Sequence, residues 1–146
     1  HYIWAMAAAG RIDDVAKFLA GLPNVAKSNM TEGPIFRDVG IPLSEAIVAC
    51  VNQEYGRAVD LLVPVRYQVY KIGGSHAQRD LFAQLLVHAA IADGRHHLAR
   101  ALIGERVERR PDSSLNWRWL AQTYDGLGDS SEAGIAKSKA EELIAA

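Results

Sequence analysis

The sequence lacks several features that mark particular classes of protein. Its formal net charge is −1, so it has no excess of basic residues to attract a nucleic-acid backbone or an anionic membrane. No apolar run approaches the roughly 18 residues that predict a membrane-spanning helix. Its one cysteine, Cys50, excludes an internal disulfide and lies in an apolar run, which favours a small buried side chain. Neither nucleic acid nor a membrane is an expected partner.

The residues that are present indicate a helical globular protein. Aromatic residues make up only 8% of the chain, whereas hydrophobic residues make up 49% and charged residues 23%. This balance is typical of a folded domain, and the abundance of alanine favours helices over strands. The length of 146 residues suits one domain. We therefore predict a single all-α domain over residues 1–146.

Turn residues divide the sequence into eight segments of helical periodicity. The first ends at Gly10, the second runs to about Leu22, the third spans Pro42 to about Gln53, the fourth about Tyr55 to Lys71, the fifth Ser75 to Ala92, the sixth Arg95 to about Arg109, the seventh Ser113 to Leu127, and the eighth begins at Asp129. Ser75 and Gln78 have the spacing of a capping box. Residues 24–38 show no clear period and are predicted to form a long loop.

A repeat relates the last two predicted helix pairs. A shift of 34 residues places Leu86 on Leu120 and Gly94 on Gly128. This spacing is the tetratricopeptide period, in which each unit is a pair of antiparallel helices. The large and small residues typical of such a unit are Trp117, Leu120, Ala121, Tyr124, Gly128, Ala133 and Ala140. Lys137 departs from the pattern, because a large apolar residue is usual there. We predict a right-handed superhelical array of antiparallel helix pairs.

Five short strings carry a narrower resemblance. They are RDVGIPL at 37–43, LVPVRY at 62–67, IGGSHAQRD at 72–80, LARAL at 98–102 and NWR at 116–118. Together they resemble the C-terminal part of the tetratricopeptide repeat protein 38-like family. The resemblance implies that the chain is the C-terminal segment of a larger, cytoplasmic protein. It implies no particular reaction, catalytic residue or cofactor.

One polar group of residues is a candidate for ligand binding. It comprises Arg66, Tyr67, His76, Arg79 and Asp80. His76, Arg79 and Asp80 share one face at the start of the fifth helix, where free backbone amides and the two arginines suit a carboxylate or phosphate. The alternative is that Asp80 pairs with Arg66 or Arg79 and that the preceding glycines only form a turn.

A second candidate surface follows from the repeat. In tetratricopeptide arrays the first helix of each pair lines a concave groove. The register assigns to this groove Gln84, His88, Ile91, Arg118, Gln122 and Asp125. This mixture suits a protein or peptide partner. The corresponding residues of the earlier pair, Leu43, Ile47 and Cys50, are apolar, so part of the groove is expected to be filled.

No set of catalytic or metal-binding residues is complete in the sequence. His96 and His97 are adjacent, so their side chains diverge on a helix, and neither has a carboxylate or cysteine at a ligand spacing. Ser75 serves as a helix cap, and the glycines before it lack the lysine of a phosphate loop. The sequence therefore predicts a protein-interaction or scaffolding module without catalysis, metal or cofactor.

The alternative function is one half of a small-molecule or enzyme site. Such a site would be completed by an upstream region and would use Arg66, His76, Arg79 and Asp80. The chain begins abruptly inside a helical pattern, which indicates that upstream residues are missing. An array truncated there exposes an apolar edge at residues 1–6, so we expect this segment to form homo-oligomers.

Overall fold

The computed structural model describes residues 2–28 and 31–145, and every regular element in these ranges is helical. The α-helices are α1 (Tyr2–Ala8), α2 (Ile12–Ala26), α3 (Glu32–Ile35), α4 (Ile41–Val51), α5 (Tyr55–Leu62), α6 (His76–Ala92), α7 (His96–Arg109), α8 (Ser114–Leu127) and α9 (Ser130–Ala145). A π-helix, Phe36–Gly40, joins α3 to α4 without a break, and 3-10 turns follow α5 at Val63–Val65 and Val69–Ile72. With α3, the π-helix and α4 counted as one continuous helix, the described residues form eight long helical segments, which confirms the all-α class.

The chain divides into two compact units, His1–Ala89 and Ala90–Ala146. In the first unit, α4 contacts α1, α2 and α5, and its buried face carries Leu43, Ala46, Ile47 and Ala49. In the second unit, α8 packs against both α7 and α9. The buried residues of α9 are Ala133, Ala136 and Ala140, and such small side chains let two helices approach closely. That the whole chain acts as one domain stays a prediction.

The same turn closes four of the helices. In each turn the N–H of a residue with positive φ donates to the carbonyl three residues earlier, and the next N–H donates to the carbonyl five residues before it. The positive-φ residues are Gly10, Gln53, Gly94 and Gly128. These two bonds, 2.8–3.1 Å long, define the Schellman motif, which satisfies carbonyls left free at a helix end. Each turn leads directly into the next helix.

Positions at a fixed distance from these turns are buried in all four cases. Seven residues before the positive-φ residue stand Ile3, Ala46, Val87 and Ala121, and five residues after it stand Val15, Ala58, Ala99 and Ala133. Small or branched apolar side chains thus occupy equivalent places on either side of every turn. The equivalence predicted for the last two helix pairs extends to the first two, although their turns are more widely spaced in the chain.

The predicted loop at residues 24–38 is wrong for most of its described length. Helix α2 continues through Pro23 to Ala26, and helix resumes at Glu32. The loop prediction is wrong because it rests on Gly33 and Pro34, whose residue types are common in loops. Proline is well tolerated in the first turn of a helix. Gly33 is required by packing, since a Cβ there would lie 2.6 Å from the carbonyl oxygen of Ser28. Residues 29 and 30, also within the predicted loop, lie outside the described residues.

Two other predicted helix boundaries are also wrong. The helix expected to begin at Pro42 is already helical from Glu32, because the π-helix carries it into α4. The helix expected to reach Lys71 ends at Leu62. Pro64 explains this end, since it has no N–H and its ring crowds the preceding turn. The first predicted helix is confirmed over Tyr2–Ala8, and His1 lies outside the described residues.

A buried asparagine joins α8 to the end of α7. Asn116 is 0% exposed. Its side-chain amide donates to the carbonyls of Arg106 and Arg110, each at 3.4 Å, and its Oδ1 accepts from Nε of Arg106 at 3.1 Å. The amide thus caps carbonyls at the C-terminal end of α7. The neighbouring Trp117 is half-buried and donates its indole N–H to the carbonyl of Pro111 at 2.8 Å.

Replacing Gln53 by glycine should stabilise the protein. Gln53 has φ of 64°, a conformation that costs an ordinary L-residue about 1 kcal/mol and costs glycine little. Its side chain is exposed, so the change removes no buried contact. We expect Gln53→Gly to raise the free energy of unfolding in urea by up to about 1 kcal/mol. Gly128→Gln, the reverse change in the equivalent turn, should lower it. A destabilised Gln53→Gly variant would contradict the assigned turn.

Removing the Asn116 amide should destabilise the protein. Asn116→Ala removes three hydrogen bonds made by a fully buried side chain, which should cost about 1–3 kcal/mol. Gln122→Ala is the matched control, because it removes an exposed amide from the same helix and should change stability by less than about 0.5 kcal/mol. Urea denaturation of the two variants measures the difference. Equal stabilities would show that Asn116 does not cap α7.

Candidate functional site

The polar group at the start of α6 is organised around the turn before the helix. The backbone N–H of Ser75 donates to Oε1 of Gln78 at 2.8 Å, and the N–H of Gln78 donates to Oγ of Ser75 at 3.2 Å, so the predicted capping box is confirmed. The Arg79 guanidinium donates to the carbonyls of Gly73 and Gly74 and lies 3.2 Å from Nδ1 of His76. Much of the Arg79 hydrogen-bonding capacity is therefore used by its own turn.

The other members of this group make further side-chain contacts. The guanidinium of Arg66 donates to the hydroxyl of Tyr67 and stacks 4.2 Å from the centre of its ring. Asp80 accepts a hydrogen bond from Nε2 of Gln84 at 2.8 Å. Arg66, Arg79 and Asp80 are half-buried, whereas Tyr67 and His76 are exposed. Each of the five side chains therefore has at least one contact with a neighbouring residue.

The residues assigned to the groove differ in their exposure. On α6, Gln84 is half-buried and bonded to Asp80, and His88 meets the ring of Tyr55 edge to face at 5.5 Å between ring centres. Ile91 is only 7% exposed, so its side chain belongs to the interior.

On α8, Arg118 and Gln122 are exposed, and neither makes a hydrogen bond or ion pair within residues 2–28 and 31–145. The third assigned residue of this helix, Asp125, forms an ion pair of 2.9 Å with Lys137 of α9. Lys137 is the residue that departs from the tetratricopeptide pattern. Because both side chains are about half exposed, this pair contributes little to stability. Lys137 thus forms a surface ion pair at a position where the tetratricopeptide pattern has an apolar residue.

The first unit contains a cavity that the sequence did not predict. Its volume is about 270 Å³. It is lined by Tyr2, Ile3, Phe18, Glu32, Ile35, Phe36, Gly40, Leu43, Ser44, Ile47, Lys71, Ile72 and Phe82. These residues come from widely separated parts of the sequence, so no short motif marks the cavity. Leu43 and Ile47, which were expected to face a filled part of the groove, form part of its wall.

Burial changes from the floor of this cavity to its opening. Ile3, Leu43, Ile47 and Phe82 are buried, whereas Tyr2, with 84% of its surface exposed, stands at the opening. The π-helix shapes one wall. A Cβ on Gly40 would lie 3.0 Å from the ring of Phe36, so the absence of a side chain at Gly40 gives that ring its place. π-Helices are rare and often lie at functional sites.

Two charged residues of opposite sign border the cavity. Lys71 donates to Oε1 of Gln68 at 2.8 Å. Its charge also helps, after the hydrogen bond from Arg37, to hold the pKa of Asp38 below its usual value, so Lys71 lies within electrostatic reach of that carboxylate. Glu32 is exposed, and its side-chain carboxylate makes no hydrogen bond or ion pair within the described part of the chain.

The described residues form neither a metal-binding cluster nor a membrane-spanning helix. In residues 2–28 and 31–145, no three His, Cys, Asp or Glu side chains are placed to hold a metal ion. None of the helices in these ranges is long and apolar enough to cross a membrane. Comparison with known proteins adds no assignment, since no family model matches the chain and no solved structure matches it significantly.

Cys50 should react slowly with alkylating reagents in the folded protein. Burial raises the pKa of its thiol from 9.0 to about 11, and only the thiolate reacts. At pH 8 we expect alkylation by iodoacetamide to be about a hundredfold slower than in the urea-unfolded chain, since two pH units separate the two pKa values. The rate should rise about tenfold per pH unit until pH approaches 11. Equal rates in the folded and unfolded protein would show an accessible, ordinary thiol.

Proposed function

We propose that this chain is a protein-interaction module of the tetratricopeptide type, in which helix pairs stack into an array and the first helix of each pair presents side chains to a peptide. The observation that supports the proposal is the fourfold recurrence of one turn with buried residues at equivalent positions around it. Repeat proteins are built in this way, because each helix pair buries its apolar face only against its neighbours. The step from architecture to peptide binding rests on analogy with such arrays.

Exposed side chains of α8 supply the recognition chemistry. Arg118 and Gln122 lie one turn apart on α8 and have no partner within the described ranges. A guanidinium next to a side-chain amide suits a peptide carboxylate together with a backbone carbonyl or N–H. We assign these two residues to the peptide-binding surface.

The test compares two sets of substitutions in the whole chain. Peptides are first selected from a displayed random library with the unaltered protein, and dissociation constants are then measured by fluorescence anisotropy. The surface variant carries Arg118→Ala and Gln122→Ala. The control carries Arg100→Ala, Ser138→Ala and Glu141→Ala, which change exposed residues on the second helices α7 and α9.

We expect the surface variant to bind at least about tenfold more weakly, a loss of about 1.4 kcal/mol. The control should bind within about twofold of the unaltered protein, because its substitutions lie on the other helix of each pair. Unchanged affinity in the surface variant, or an equal loss in the control, would contradict the proposed surface. Failure to select any peptide would contradict the proposed function.

A further inference from the structure

The cavity in the first unit gathers an unusual share of the aromatic residues. The sequence contains three phenylalanines, and all of them, Phe18, Phe36 and Phe82, line this one cavity. Tyr2 stands at its opening. Phe82 is buried in the wall, whereas Phe18 is more than one-third exposed. Since apolar aromatic rings are normally covered, a concavity walled by them and open to solvent is a favourable place for a small apolar group.

The volume limits the size of the occupant. In another protein, a dry apolar cavity of roughly 150 Å³ takes up benzene. A cavity of about 270 Å³ therefore accommodates one aromatic ring or branched aliphatic group with a short side chain. It is too small for most of a lipid or a peptide helix, so the occupant that fits is a compact molecule.

The charged residues at the border of the cavity favour a positively charged ligand. Glu32 lines the cavity, and its side-chain carboxylate has no partner within residues 2–28 and 31–145. The ammonium of Lys71, by contrast, already donates to Gln68 and is within reach of the Asp38 carboxylate. The faces of aromatic rings are themselves electronegative and attract cations. A carboxylate that has no partner among the described residues and lies at a cavity walled by several rings is thus complementary to an amine.

We propose that this cavity binds a small hydrophobic amine, with its apolar group among the three phenylalanine rings and its ammonium at the Glu32 carboxylate. The half-buried hydroxyl of Ser44, which makes no hydrogen bond within the described ranges, provides an acceptor for a second ammonium proton. The proposal shares no residue with the peptide-binding surface, so either can fail without the other.

Three probes of similar shape test which ligand charge the cavity prefers. 2-Phenylethylamine is the cation, 2-phenylethanol is the neutral analogue and 3-phenylpropionate is the anion. Binding to the whole chain is measured by calorimetry and by amide chemical-shift changes. We expect the amine to bind with a dissociation constant below about 1 mM, with shifts at residues lining the cavity, and to bind at least tenfold more tightly than either analogue.

Three variants test the assigned carboxylate. Glu32→Gln should weaken amine binding about tenfold, and because Glu32 is exposed the fold should be retained, as circular dichroism will show. Glu45→Gln, which alters a carboxylate on α4 that does not line the cavity, should bind the amine within twofold of the unaltered protein. Lys71→Met should bind the amine as tightly or more tightly, since it removes a repulsive charge.

Several outcomes would overturn the proposal. These are equal binding of the alcohol, tighter binding of the anion that Lys71→Met abolishes, an amine affinity unchanged by Glu32→Gln, or no binding of the amine at millimolar concentration. Measurement at two protein concentrations adds one more. Loss of amine binding as the protein associates would assign the cavity opening to a second copy of the chain.

Discussion

The structure depends on how a helix ends. An α-helix leaves carbonyls unsatisfied at its C-terminus, and four helices of this chain solve the problem with one pair of backbone hydrogen bonds around a left-handed residue. That solution also reverses the chain direction within a few residues, so the same atoms that satisfy the helix end start the next helix. The buried positions then fall at constant distances from the turn. The backbone hydrogen bonds of the turn thus bring each helix back towards the one before it. Side-chain packing then stabilises the pair.

The sequence predicted the parts of the fold that have a local cause. Gly94 and Gly128 mark their turns because glycine favours a left-handed conformation, and Ser75 with Gln78 marks a helix start because the two residues bond to each other's backbone. The turn at Gln53 was not recognised as equivalent, since its residue type carries no such preference. The prediction of a loop at residues 24–38 was wrong because glycine and proline are common in loops but also occur in helices. Gly33 is there to allow a close approach to the Ser28 carbonyl, and its residue type alone does not reveal that contact.

The candidate sites show the same division between local and distant causes. Polar residues close together in sequence, such as His76 and Arg79, were correctly expected to share a helix face, and they do contact each other. Whether they form a binding site depends on what their turn already uses, and the Arg79 guanidinium is bonded to two backbone carbonyls. The aromatic cavity was missed because Phe18, Phe36 and Phe82 come together only through the tertiary fold. Pairing of Lys137 with Asp125 likewise explains an exception that the pattern alone left open.

The π-helix at Phe36–Gly40 has a consequence for how the first unit tolerates change in chain length. A π turn holds one more residue than an α turn, so it absorbs a residue that an ordinary helix would have to accommodate by rotation. Deleting a single residue there would allow the segment to become regular α-helix. The two sides would then keep their relative orientation, whereas regularising the segment at its full length would rotate one side by about 100° relative to the other, the angle that one residue occupies in an α-helix. Glu32 and Leu43 lie on opposite sides of this segment, so the wide turn sets the angular phase between the charged border of the cavity and its apolar floor.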